Sequence, residues 1–211
     1  MENMENIPYI FTIFFLTLGP LKIIPLFDRL THDATAAYRL RVAGLATLIS
    51  TIIVLMLSGV GRNIITNWKV SPSALALSAG ILLLTSALKL LSNFSLPKRI
   101  QEHPPMSDKD PKELAISPLA IPTVVTPYGL VAILAFMGNA QGRTGLELSI
   151  VALLLLIMGM NLVGMLLTPL IVRWIGLIPL LIVGWVFAAL QATLALEFIL
   201  ASFRYLGVIN Q

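Results

Sequence analysis

The side chains best placed to do chemistry lie in "LTLGPLKIIPLF" (Leu16 to Phe27), where Gly19, Pro20, Lys22 and Pro25 interrupt an otherwise apolar run. A second interruption, "SPLAIPTVVTPYG", carries Pro118, Pro122, Thr126, Pro127 and Gly129. A proline inside a helix removes a hydrogen bond and costs about 3 kcal/mol. In lipid, the freed carbonyls must find partners in protein or in a water-lined cavity. Broken helices also expose half-helix ends, whose partial charges can hold ions or solute groups. Residues 19–25 and 122–129 are therefore the candidate substrate or ion site. Pro20 and Pro127 would expose backbone, and Gly19 and Gly129 would let helices approach. Two kinks that merely shape packing are the alternative.

Lys22 is the sharpest single residue. A lysine at the centre of a span costs roughly 3 kcal/mol. One reading is charge complementarity to an anionic solute, or a part in proton coupling. The other is snorkelling to the interface near Asp28, six residues on, since six helical residues span about 9 Å. Lys89 and Glu197 are read as interfacial residues on opposite faces. Asn161, Thr126, Gln191 and Thr193 are read as helix-to-helix hydrogen-bonding groups.

Enzyme signatures are missing from the sequence. With no cysteine, and histidine only at His32 and His103, neither a thiolate site nor a His–carboxylate cluster within a span can be drawn. No nucleotide-binding glycine loop occurs, so no cofactor, no metal and no ATP-driven step is expected, and the chain is read as a non-enzyme.

The elements that must position these residues follow from composition. Charged residues make up 11% of the chain against 57% hydrophobic, where soluble domains carry about 25% charged. Mean hydropathy is +0.92. Several runs approach the ~20 apolar residues that span a bilayer, so the expected class is an all-α polytopic membrane protein. Six segments are expected, at about 7–27, 42–60, 73–91, 114–137, 146–172 and 175–203. The start, "MENMENIP", lacks the basic region of a secretory signal, so the first segment is expected to be retained. Residues 92–113 hold four prolines and eight charges and are read as an exposed loop.

With six spans, Arg29, Arg39, Arg41, Lys89, Lys98, Arg99, Lys109, Lys112 and Arg173 share one side. Only Arg62, Lys69, Arg143 and Arg204 occupy the other. The basic excess predicts a cytoplasmic 92–113 loop and both termini outside.

The halves also repeat. Aligning Pro20 with Pro127 gives an offset of 107, and "ALKLL" with "ALEFI" (Ala87 with Ala195) gives 108. Three spans per half place the second half upside down, an inverted repeat typical of secondary transporters. The expected organisation is 1–91 as the first repeat, 92–113 as the linker and 114–211 as the second repeat, with helices 1 and 4 broken.

"FFLTLGPLKIIPLF", "SALALSAGILLLTSALKLL" and "ISPLAIPTVVTPYGLVAIL" resemble the diagnostic segments of the MarC family of bacterial integral membrane proteins. The resemblance covers nearly the whole chain and leaves the 92–113 loop unmatched. It implies six spans and, through the family's grouping near LysE-type exporters, small-molecule export in the bacterial inner membrane. Many members read D-P-I-G-N where this chain has Gly19, Pro20, Leu21, Lys22 and Ile23. The usual G-P-G-A is here Thr126, Pro127, Tyr128 and Gly129. The prolines are kept, while the acid and amide give way to a lysine, so a first-half site should be neutral or positive.

The function expected is secondary transport or export of a small polar or anionic solute. A non-transporting partner subunit or envelope-integrity factor is the alternative. The expected partners are the lipid bilayer and an unknown small solute, without nucleic acid; a homo-oligomer is left open.

Overall fold

A computed structural model of the chain describes residues 6–67, 69–92 and 110–207. Among these residues every regular element is helical. Helix α1 (Ile7–Leu18) begins with Pro8 in its first turn, where the missing N–H costs nothing. It stops at Gly19, whose backbone is extended (φ −77°, ψ 172°), as expected of a residue before proline. A 3₁₀ turn, Pro20–Lys22, leads into α2 (Ile23–Thr31). Helix α3 (Ala36–Asn67) is 32 residues long and is followed by α4 (Pro72–Ser92).

The second half opens with the single turn α5 (Pro111–Leu114), capped by the Asp110 carboxylate accepting from the Lys112 N–H at 2.9 Å. Residues Ala115–Val124 continue in wide π-type turns, with extended backbone at Ser117 and Ile121 ahead of Pro118 and Pro122. Helix α6 (Pro127–Asn139) follows, then α7 (Thr144–Ile175), also 32 residues, and α8 (Leu177–Tyr205). Gly176 alone joins α7 to α8, at φ 79° and ψ 164°, a backbone region open essentially only to glycine.

All six expected segments are helical, but they are not six equivalent spans. Ile7–Thr31, Ala36–Gly61, Thr144–Ile175 and Ile182–Tyr205 are long and apolar enough to cross a bilayer. The fourth segment is a pair of helices bent by 59°. The third, α4, is 21 residues long, which at 1.5 Å per residue is about 31 Å, close to the ~30 Å hydrocarbon core. Two connections also move. Arg173 and Trp174, taken above as a loop, lie inside α7. The linker ends at Asp110 because Pro111 already starts a helix, and positions 93–109, with Lys98, Arg99, Lys109 and His103, lie outside the described residues.

Lipid is as apolar as leucine, so burying leucine between membrane helices yields little, and close packing with hydrogen bonds must hold them together. The contacts follow that rule. Ala43, Ala46, Ala188 and Ala195 are fully buried, while Leu48, Ile52, Met56, Leu155, Leu156 and Val163 remain exposed on the outer faces of α3 and α7. At Gly80 on α4, a Cβ would stand 2.8 Å from the Ala195 carbonyl of α8. The same two helices are tied at one end by the Ser202 hydroxyl donating to the Ser73 carbonyl at 2.6 Å, so they run antiparallel.

Packing is dominated by contacts between the halves. Helix α4 lies along α8, α3 packs on α6 and on the wide-turn segment before it, and α7 packs on α1 and α2. At the centre Phe14 meets Phe136 edge-to-face, with centroids 5.4 Å apart. Ile10, Ile13, Ile133, Leu154 and Ile157 close the core around them.

Candidate functional site at the broken helices

The break at Gly19–Pro20 leaves the last carbonyls of α1 without helical partners. Side chains from the rest of the chain take three of them in succession. The Gln191 amide of α8 donates to the Leu16 carbonyl at 2.5 Å. The Thr126 hydroxyl and the Lys22 ammonium both donate to the Thr17 carbonyl at 3.0 Å. The Asn161 amide of α7 donates to the Leu18 carbonyl at 2.7 Å, and to Ile157 of its own helix at 2.9 Å. Gln191, Thr126 and Asn161 are all buried. The proline-freed backbone is thus satisfied inside the protein, as membrane depth requires.

Thr126 joins the two breaks. As N-cap of α6 its hydroxyl oxygen accepts from the Gly129 N–H at 3.1 Å, while its proton goes to Thr17. A hydroxyl has one donor and two acceptor sites, so both bonds form at once. Gly129 lies against Leu18, whose Cδ2 would be 2.4 Å from an added Cβ. The end of α1 and the start of α6 therefore meet tip to tip. Pro20 is buried against α7, where a Cβ on Gly164 would stand 3.0 Å from the Pro20 Cβ.

Lys22 turns back toward the break instead of snorkelling toward Asp28. Its Nζ donates to the Thr17 carbonyl and to the Tyr128 hydroxyl, 4.6 Å from the centre of that ring. The physical reason is that Cα–Cβ bonds lean toward a helix's N-terminus, and a carbonyl with no helical partner waits there. Ser86 and Thr126 flank the same phenolic hydroxyl. Among the described residues no carboxylate pairs with Lys22.

Beside this junction lies a partly open cavity of about 370 Å³. Gly19, Lys22 and Pro25 line it, with Tyr128, Ser86, Lys89 and Gln191 as further polar lining and Phe15 and Phe187 among the apolar walls. Of the other expected site residues, Pro20, Thr126 and Gly129 are buried behind the lining, while Pro122 and Pro127 are exposed and do not line it. Gly129 makes the helix approach expected of it. Gly19 answers to its own helix, because a Cβ there would fall 2.0 Å from the Phe15 carbonyl. Lys89, read as interfacial, lines the cavity although exposed. Glu197 stays apart, on the surface 3.5 Å from Arg204. Thr193 bonds only within α8, to Ala189 at 3.2 Å.

Ser86 and Phe187 were missed from sequence, and Tyr128, although within the expected 122–129 stretch, was given no role. For Tyr128 a signal existed, in its place one residue after Pro127 in the matched break. Among the described residues no group of three or more side chains could hold a metal ion.

The family model for MarC family integral membrane proteins matches residues 4–206. The chain belongs to the MarC family. This MarC chain is 26% identical over 189 residues to a UPF0056 membrane protein of Archaeoglobus fulgidus, covering 90% of this chain and 88% of that relative. It is 26% identical over 144 residues to a UPF0056 membrane protein of Methanocaldococcus jannaschii, covering 67% of this chain and 62% of that one. No solved structure matches it significantly. MarC membership and the apolar helices make it a multi-pass integral membrane protein.

Proposed function

We propose that this MarC-family chain is a secondary transporter or exporter of a small polar or anionic solute, and not an enzyme. The observation that carries it is the cavity beside two proline breaks, one from each half, that meet tip to tip. Reciprocal packing supports the inverted repeat: the middle helix of each half, α3 or α7, lies against the other half's broken segment, and α4 lies against α8. The bacterial inner membrane, with the 92–113 stretch cytoplasmic and both termini outside, is part of the proposal and rests on the resemblance and the basic residues. Lys89 then puts the cavity on the cytoplasmic side. Antiparallel α4 and α8 are closed on the far side, where Gly80 lets them touch. Rocking one half against the other would move that closure to the cavity side.

One observation favours a non-transporting role. The bonds from Lys22 to Thr17 and Tyr128 also suit an ammonium that only seals a broken helix. Single-cysteine variants separate the two, and the chain contributes no cysteine background. Cysteines at Leu21, Lys22, Pro25 and Phe187 are expected to label with a water-soluble maleimide, while those at Val124 and Val125 stay protected. Protection at all six positions favours the sealed protein. Metabolite profiling of cells with and without the chain then supplies the solute. Lys22→Ala is expected to abolish its flux in reconstituted vesicles without loss of fold, and normal flux in that variant sinks the proposal.

A further inference from the structure

We infer that the cavity binds an organic anion with an apolar body, its charged head at Lys22 and its body against the wall formed by the paired Phe15 and Phe187 rings, whose centroids are 6.1 Å apart. This deepens the transport reading and rests on it only for the ligand's passage. An ammonium carries three donors. Two go to the Thr17 carbonyl and the Tyr128 hydroxyl, which leaves the third for the cavity that Lys22 lines. Carbonyl and phenol dipoles solvate the charge without neutralising it, and a half-buried cation without a counter-charge is costly. Among the described residues the lining holds a second cation, Lys89, and no carboxylate.

The walls decide what accompanies the negative charge. Leu180 and Leu21 join the two phenylalanines in the lining, a surface that a bare inorganic anion would leave unmatched. The cavity's size, about 370 Å³, lies toward the small end of the ~300–1,000 Å³ typical of small-molecule pockets. A zwitterion would bring an ammonium into a site with two lysines and no acidic acceptor. A neutral solute would leave Lys22 uncompensated. An aliphatic or aromatic carboxylate satisfies both head and walls.

The test uses the full chain in lipid nanodiscs, with signal from empty nanodiscs subtracted. Radiolabelled 3-phenylpropionate is bound and then competed with its unlabelled form, 3-phenylpropanamide, free phenylalanine and inorganic phosphate. The carboxylate is expected to bind, and the other three to compete more weakly by roughly thirty-fold or more, as loss of one partner of a buried charge pair implies. Lys22→Met should weaken the carboxylate by a similar factor, and Phe187→Ala, which leaves the lysine's bonds intact, by about tenfold.

Equal competition by the amide, tighter binding of phosphate or phenylalanine, no carboxylate binding, or wild-type affinity in both variants overturns the inference. If Lys22→Met does not fold, the ranking on the unaltered chain and Phe187→Ala decides. Carboxylate binding without flux into vesicles upholds the inference and removes the transport reading. Flux of a solute without net negative charge keeps transport and overturns the inference.

Discussion

Three consecutive carbonyls, those of Leu16, Thr17 and Leu18, hold the junction together through Gln191, Thr126 with Lys22, and Asn161. Each bond joins a side chain to backbone that a proline has freed, so removing the donor leaves a buried acceptor unpaired. Hydrogen bonds between membrane helices contribute about 0.6–2 kcal/mol. Asn161→Leu is therefore expected to lower stability by about 1–2 kcal/mol in SDS-driven unfolding from mixed micelles. Thr193→Val, which touches only its own helix, should change it little. An unchanged Asn161→Leu midpoint removes the capping role. Gly19→Ala should cost about 2–3 kcal/mol by overpacking, given the 2.0 Å approach of Phe15. Gly44→Ala, with nothing within 4 Å, should be neutral or stabilising by about 0.5–1 kcal/mol. The same unfolding assay checks both.

The breaks could be read from sequence because proline acts through its own ring on its immediate neighbours. The direction of Lys22 could not, because it depends on Tyr128, 106 positions away. For Asn161 and Gln191 the sequence predicted hydrogen bonds between helices, and that is what they make. Which carbonyls receive them depends on the packing of α7 and α8 against α1. The clue was available in principle, since a carbonyl freed by proline and an amide in an apolar run are complementary needs.

At the scale of elements, α4 is tied most closely to one neighbour. It runs along α8 for most of its length. Gly80 sets how close they come. Gly80→Val is expected to push the helices apart and lower stability by about 1–3 kcal/mol, the usual range for overpacking. Gly159→Val, at an open position on α7, serves as the comparison in a thermal-aggregation assay. Equal melting of the two variants would mean that the approach at Gly80 is slack. The apolar run of α4 was legible in the sequence, but the direction of Lys89 was not. In the structure Lys89 faces the cavity.

In the whole molecule the halves are interleaved and do not sit as two packed bodies. Helices that follow one another in sequence touch little within either half, and most packing crosses between halves. The offsets of 107 and 108 pointed to two related halves but carried no information on which surfaces meet. Apolar helix faces in lipid show weak patterns, and small residues such as Gly80 and Gly164 mark contacts only once the partner is known. If the chain is cut within 93–109 and both pieces are expressed together, they are expected to copurify from membranes. Each piece expressed alone should be degraded. A half that is stable by itself would contradict interleaving.

The order in which the chain is made gives the junction a history. Leu16 is paired by Gln191, 175 residues later, and Leu18 by Asn161, 143 residues later. At ~5–20 residues per second, the Leu16 carbonyl waits roughly 10–35 seconds for its partner to be synthesised. During that interval α1 ends in open carbonyls that lipid cannot satisfy. Helix α1, made before its partners, therefore settles only after they follow, and its early residence belongs to water or to the insertion machinery. A nascent chain stopped before residue 191 should keep the Gly19–Pro20 break accessible, and release of the full-length chain should seal it.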